Sequence, residues 1–291
     1  MDLGKIGIWA MLEAMTVRET LDFAQTIEKH GYQALWIPEG PGRDPFAHSA
    51  YLLSHTESLA IATGIANIWA RDAVAMASAS RTVAEISDGR FILGMGVGHK
   101  PVVANRGHTY DKPYSYMKQY LPQLKEALSM RPSQAQQQIP LLIAALHPKM
   151  LELAATQTDG THPYFVPPEH TAKVRAQIGP APWICVEQAV ILEADAIRAR
   201  AAARQHMSFY VTHLPNYRNN LKALGWQDGD FDNGCSDRLV DAIVAWGTED
   251  RIRDRIQAHF TAGAHARLYS TASCRHEPLS DLRAVQALAP A

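Results

Sequence analysis

Residues 61–101 read IATGIANIWARDAVAMASASRTVAEISDGRFILGMGVGHKP. Two short apolar runs, IATGI and FILGMGV, flank an alanine-rich stretch, and Asp72 stands where a helix N-cap belongs. Strand, helix, strand in this order is the repeating unit of a parallel α/β sheet. The pattern extends both ways along the chain. Upstream, 5–10 (KIGIWA) and 33–38 (QALWIP) read as strands. Between them Thr16 and Glu19 form a capping box, Val17, Leu21, Ala24 and Ile27 mark a helical stripe, and Gly31 marks its stop. The quoted segment supplies the third and fourth strands, 59–65 and 90–97. Downstream, 139–145 (IPLLIAA) is a fifth, followed by a helix with Pro148 in its first turn. Residues 160–165 (GTHPYF) are a short sixth, 183–192 (WICVEQAVIL) a seventh and 266–270 (ARLYS) an eighth.

Eight strands separated by helices fit a doubly wound open sheet or a (β/α)8 TIM barrel, and the count favours the barrel, whose usual size is about 250 residues. The fold class expected is therefore α/β, a TIM barrel with a helical insertion between strands seven and eight, as a single domain over 1–291. The surplus length falls in 99–138, which ends in the polar run RPSQAQQQ, and in 207–263, read as helices. Pro122, inside the helical stretch 113–129, is expected to split or kink it.

Composition narrows the function. Hydrophobic residues are 47% and charged residues 20% of the 291, enough apolar material for a sizeable core. Lys+Arg 28 against Asp+Glu 29 leaves a net charge of −1, without the basic excess of a nucleic-acid or membrane-surface binder. Cys185, Cys235 and Cys274 are odd in number and widely spaced, which fits neither a disulfide framework nor a zinc pattern. No basic leader with an apolar core opens the chain, and no apolar run approaches the roughly 18 residues of a membrane span. A soluble, cytoplasmic protein is expected, with no nucleic acid and no membrane among its partners.

In such a barrel, chemistry sits at the C-terminal ends of the strands. Read in strand order, that rim carries Trp9 and Glu13; Glu39; Asn67, Trp69 and Arg71; His99 and Lys100; His147 and Lys149; His162, Pro163 and Tyr164; and Glu187. Aromatic, acidic and basic groups around a glycine-rich turn suit a planar, anionic cofactor, with backbone N–H groups at the start of the helix after strand five as a phosphate seat. Gly94-Met95-Gly96-Val97-Gly98 is not a dinucleotide fingerprint, and its glycines have an alternative role in close packing. His99, His108, His147 and His162 have no metal-ligand spacing, so no metal is expected. Neither a nucleophile elbow nor a placed cysteine nucleophile is present.

The quoted run, together with ALWIPEG, LLIAALHPKMLELAATQTDGTHPYFVPPEHTAKVR, LPNYRNNLKALGW and SDRLVDAIVAWGTEDRIRDRI, resembles the luciferase-like flavin and deazaflavin oxidoreductases over almost the whole chain, and in particular a branch that uses coenzyme F420. The resemblance implies a dimeric barrel with a ring lying across the strand ends, backed by a bulge with a non-proline cis peptide after strand three. The matching positions here are Gly64, Ile65 and Ala66. It assigns Val97, Gly98 and His99 to the ring-lining segment, Ala145, Leu146, His147, Pro148, Lys149 and Met150 to the phosphate turn, and Pro163 and Tyr164 to a ring-edge contact. Trp9 is the aromatic wall. His99 stands where sugar-phosphate dehydrogenases of this kind carry a glutamate that handles a proton, and histidine can do the same work. Glu39 matches an acidic position after strand two, but Gly40 follows it where those relatives have histidine.

The expected function is hydride transfer between coenzyme F420 and a small organic substrate, with His99 as the acid–base group and Glu39 orienting it or sharing its proton. Lys100, Arg106, Lys149 and Arg71 are the cations for an anionic tail. The loops carrying Met11, Glu13, Arg43, Phe46, His108, Tyr110 and Tyr210 are the substrate wall. An FMN-dependent monooxygenase, a non-catalytic barrel subunit and a metal-dependent hydrolase stand as alternatives.

Overall fold

Strands buried on both faces need near-continuous apolar sequence, and most strands of this chain, two to nine residues long, supply it. The computed structural model describes residues 6–130, 137–271 and 281–290. Residues 131–136 of the polar connection, and Cys274, lie outside them. The first half orders as β1 (Ile6–Trp9), α1 (Val17–Lys29), β2 (Ala34–Ile37), α2 (Pro45–Leu53), β3 (Ala60–Thr63), β4 (Ala66–Asn67), α3 (Ala73–Ile86), β5 (Phe91–Gly96), α4 (Lys100–Asn105) and α5 (Pro113–Ser129). The second half continues β6 (Leu141–Ile143), α6 (Pro148–Gln157), β7 (Gly160–Thr161), α7 (Pro168–Ile178), β8 (Trp183–Ile191), α8 (Ala196–His213), α9 (Pro215–Lys222), a 3₁₀ turn (Asp228–Gly234), α10 (Asp237–Ile243), β9 (Val244–Trp246), α11 (Glu249–Thr261), β10 (Ala266–Thr271) and α12 (Leu282–Ala287). All pairings are parallel. β1 pairs with β2 on one edge and β10 on the other, and β10 pairs with β8, so the sheet closes into a (β/α)8 barrel. No described helix is long and apolar enough to cross a membrane.

The local start and stop signals act as the sequence indicates. Thr16 and Glu19 close a reciprocal capping box on α1, and the Asp72 side chain accepts from the Ala75 amide at the start of α3. Tertiary packing overrides others. Helix α5 runs unbroken through Pro122, because Met117, Tyr120, Leu121, Leu124 and Ala127 bury one face of it. The expected sixth strand, 160–165, shrinks to two residues, since Pro163 has no N–H to extend a ladder. Residues 207–263 are not all helical. They include β9, a buried three-residue strand paired with Ala189–Ile191 of β8. A buried polar chain behind it runs from Thr171 through His259 to Gln188, whose amide donates to the Ile243 carbonyl at 2.7 Å.

The third barrel strand differs most from a plain strand. It breaks into β3 and β4 at Gly64–Ile65, whose peptide bond is cis. Opposite it β5 is continuous. Ile61 faces Phe91 and Ala66 faces Met95, so five steps on one strand match four on the other, a one-residue bulge. Two glycines of β5 make room for it. A Cβ on Gly94 would lie 2.1 Å from the Thr63 carbonyl oxygen, and one on Gly96 would lie 2.8 Å from Ile65 Cγ1. Thr63 completes the lock, its hydroxyl donating to the Gly94 carbonyl (2.7 Å) and accepting from the Gly94 amide (3.0 Å). The glycine-rich run is therefore a packing device that shapes the site from behind. Gly94→Ala is expected to cost about 3 kcal/mol or to abolish the soluble fold, as overpacking against backbone cannot relax. Gly229→Ala, where nothing lies within 4 Å of the added carbon, is the near-neutral control. The denaturation midpoints of the two variants check this.

Candidate active site

The bulge sits at the strand ends, and the predicted residues gather around it. Trp9 Nε1 donates to the Gly64 carbonyl at 2.8 Å, so the wall and the bulge are one unit. The Glu39 amide donates to Ile65 O at 3.1 Å. Ile65 is half-buried between fully buried Gly64 and Ala66, which leaves its side chain accessible over Gly96. Trp36, by contrast, is core at 1% exposure, with the His162 ring packed on it at 4.6 Å.

Glu39 is locked. Its side chain is 2% exposed, and its oxygens accept from Arg71 Nη1 (2.7 Å), Arg71 Nη2 (3.1 Å) and the Asn67 amide (2.8 Å), with Arg106 Nη2 at 2.9 Å. Arg71 also reaches Asp44 and lies over the Phe46 ring. Two of the four predicted tail cations are thus held by Glu39, while Lys100 and Lys149 are exposed with no ion pair among the described residues. The substrate-loop candidates divide as well. Arg43 ties down the Leu12 and Met15 carbonyls, and Glu13 accepts from the Gly42 amide with its carboxylate over Gly40. Met11 and His108 are exposed.

His99 is the N-cap of α4, its side chain making no capping bond. The segment leading to it is held from outside. Trp69 Nε1 donates to Val97 O (2.9 Å), Tyr110 Oη donates to Gly98 O (3.4 Å), and Gly98, at φ +60°, packs on the Asn67 amide. Trp69 is itself stacked on Tyr116 at 4.1 Å, and its amide donates to Asn67 Oδ1. The imidazole lies against Tyr217 at 5.6 Å, with neither ring nitrogen hydrogen-bonded among the described residues. Burial holds its pKa below the ordinary histidine value, so the ring is neutral and can accept a proton. No hydrogen bond joins Glu39 to His99. Arg106 is the C-cap of α4, so Glu39 grips one end of the helix that His99 begins. The proton-sharing part of the expectation has no geometry behind it; the orienting part does.

The turn 145–150 opens α6. His147 is its N-cap without a side-chain bond, Pro148 is the first helical residue, and His147, Pro148 and Lys149 are exposed. From α7, His170 Nε2 meets Leu146 O at 3.1 Å and Gln177 Nε2 donates to Pro148 O at 2.8 Å. Across the mouth, Tyr164 packs on Trp9 at 5.1 Å, and its hydroxyl meets that of Tyr210 at 2.7 Å. Buried Pro163 accepts from the Glu187 amide. Sequence reading singled out neither Tyr217, which joins Tyr164 to His99, nor His170. Tyr217 lies in the quoted LPNYRNN, and the signal for it was an aromatic inside a polar helix.

A family profile of luciferase-like monooxygenases matches residues 1–266. The chain belongs to this family. A 5,10-methylenetetrahydromethanopterin reductase from Methanolobus tindarius is 26% identical over 274 residues, covering 80% of this chain and 84% of its own. A coenzyme F420-dependent tetrahydromethanopterin reductase from Methanopyrus kandleri superposes with a TM-score of 0.78 at 17% identity, over 99% of this chain and 98% of its own. The oxygenating constituent of 3,6-diketocamphane monooxygenase from Pseudomonas putida, in complex with FMN, superposes with a TM-score of 0.67 at 14% identity, over 99% and 97%. These similarities place the barrel of this chain among luciferase-like enzymes.

In this luciferase-like chain the ion cluster behind α4 is the most testable support of the site. Glu39→Gln leaves Arg106 without its carboxylate and Arg71 with Asp44 alone, and is expected to cost about 3 kcal/mol. Adding Arg106→Met should recover part of that loss, because one of the stranded charges is gone. Equilibrium denaturation of the native protein and the two variants tests both statements.

Proposed function

We propose that this chain is a coenzyme F420-dependent oxidoreductase that transfers a hydride between the deazaflavin and a small organic substrate. The observation that carries the reading is His99: a neutral imidazole, with neither nitrogen hydrogen-bonded among the described residues, at the end of the strand that packs on the bulge. The residues around it fit such a cofactor. Ile65, Val97, Gly98 and His99 are accessible strand-end positions beside the bulge, and Trp9 closes one side. The uncapped start of α6 and the unpaired Lys149 suit an anionic group. When bound, the deazaflavin supplies hydride transfer. The chain's part is to hold the ring position with the bulge and the Val97–His99 segment, and to accept or return a proton at a His99 ring nitrogen. Glu39 acts at a distance, fixing α4 through Arg106. The homodimer implied by resemblance belongs to this proposal.

FMN is the second reading. The FMN complex of the Pseudomonas putida neighbour supports it, and an FMN phosphate would suit the same helix start. Fluorescence titration with FMN and with oxidised coenzyme F420 separates the two. Tighter binding of the deazaflavin is expected, and preference for FMN would turn the reading toward a monooxygenase.

His99→Ala is expected to keep cofactor affinity and to lose about 10²–10⁴ in turnover. Near-native turnover would remove His99 from the mechanism. Because burial lowers its pKa, the ring stays neutral until the pH falls below the ordinary histidine range. The acid limb of kcat/KM is therefore expected on the low side of pH 6.5, and His99→Ala should abolish it.

A further inference from the structure

Beneath the aromatic rim lies a carboxyl that the proposed chemistry does not use. Glu187, mid-way along β8, is 2% exposed. Its neighbour Gln188 bonds to α11 and to the end of α10, on the outside of the barrel. Glu187 turns the other way. Its Oε1 pairs with Ser270 Oγ at 2.5 Å, and its Oε2 accepts from the Phe165 amide at 3.3 Å. Its own amide donates to Pro163 O at 3.0 Å. One residue therefore grips the 163–165 turn on both sides of Tyr164. That turn needs gripping, because Phe165 has φ +60°, a conformation an L residue with a large side chain rarely keeps unaided.

We propose that Glu187 is a positioning residue that clamps the 163–165 turn and thereby sets Tyr164 against Trp9 and Tyr210. No described Lys or Arg acts on the carboxyl as a counter-charge, so its ionised form would be buried without compensation. Burial accordingly pushes Glu187 up to about 7, against the smaller pull of its two hydrogen bonds. The titratable groups facing it are neutral. Tyr164 and Tyr217 are held well above the usual phenol value and Tyr210 is pushed up to about 12, each chiefly by burial. His162, on the same turn, and His206, on α8 beside Tyr210, are each pushed down to about 4 by burial. Glu187 is thus the group in this cluster whose charge changes near neutrality. A protonated carboxyl offers one donor and one acceptor, and glutamine offers the same pair, so Glu187→Gln mimics the protonated form at every pH.

The sign follows from the shift. The folded value lies above that of an unfolded glutamate, so the native chain loses stability as pH rises from the ordinary carboxylate range to about 7, and no more beyond it. Glu187→Gln should gain stability over the native protein across that window and hold the gain above it.

The inference rests on the proposed site only in using Tyr164 as part of the mouth, and its first test needs no cofactor. Native protein, Glu187→Gln and Glu187→Ala are titrated from about pH 5 to about pH 9 by near-UV circular dichroism, between the carboxylate and phenol ranges. The native aromatic spectrum is expected to change near neutrality, and Glu187→Gln is expected to keep the low-pH spectrum throughout. Ser270→Ala removes a donor that favours the ionised form, so it should move the native transition to higher pH. A native spectrum flat with pH, or a transition unmoved in both Glu187→Gln and Ser270→Ala, overturns the proposal even if Glu187→Ala does not fold. With FMN and oxidised coenzyme F420 as probes, Glu187→Ala should bind the preferred one about tenfold more weakly, with Glu187→Gln restoring it. Equal affinity in Glu187→Ala also overturns the proposal. Binding of neither probe to the native protein, with the spectral transition present, would sink the proposed function and leave the clamp standing.

Discussion

The close approach of the third barrel strand to β5 is the constraint on which the rest of the mouth depends. Gly94 has no side chain because the Thr63 carbonyl occupies that space, and Gly96 has none because Ile65 does. Once the extra residue is accommodated, its neighbours have fixed partners. Trp9 takes the Gly64 carbonyl, Glu39 takes the Ile65 carbonyl through its amide, and Gly98 comes to rest on Asn67. Three strand ends are indexed to one bulge, so an error there would misplace wall, carboxylate and imidazole together.

Charge is arranged around this point with a clear division. The ionised groups of the rim, Glu39 with Arg71 and Arg106, are spent on one another and on holding α4. The groups left open to the mouth are neutral or aromatic: His99, Tyr110, Tyr164 and Trp9. A mouth of this kind presents few fixed charges to an incoming substrate and keeps the proposed proton acceptor uncharged. The exposed Lys100 and Lys149 each stand in the first turn of a helix, α4 and α6.

Most of the barrel was legible because parallel strands and capped helices have strong local patterns. Val17, Leu21, Ala24 and Ile27 declare their helix, and FILGMG its strand. The misread places are those where distant packing decides. Pro122 is carried inside α5 by the face that helix buries. β9 is three residues between two helices, and its partner lies more than fifty positions earlier. For the site, family resemblance located the bulge at Gly64–Ile65, and residue types at strand ends pointed to the His99 segment and the α6 turn. They did not reveal that Glu39 is fully engaged by two arginines, since Arg71 and Arg106 come from different loops. Nor did they reveal Trp69 as the holder of Val97, because a single indole bond leaves no periodic trace in sequence.

The start of α6 is steadied by His170 and Gln177, seven residues apart on one face of α7, and not by the loops that surround the mouth. The proposed anion seat thus belongs to a helical layer with its own internal support, while the loops after the first, second, fourth and seventh barrel strands end elsewhere. Drift or recombination in those loops can retune what enters the mouth without rebuilding the seat. The architecture separates a helical support that stays constant from loops free to diversify, so the mouth can be reshaped while the α6 start is kept.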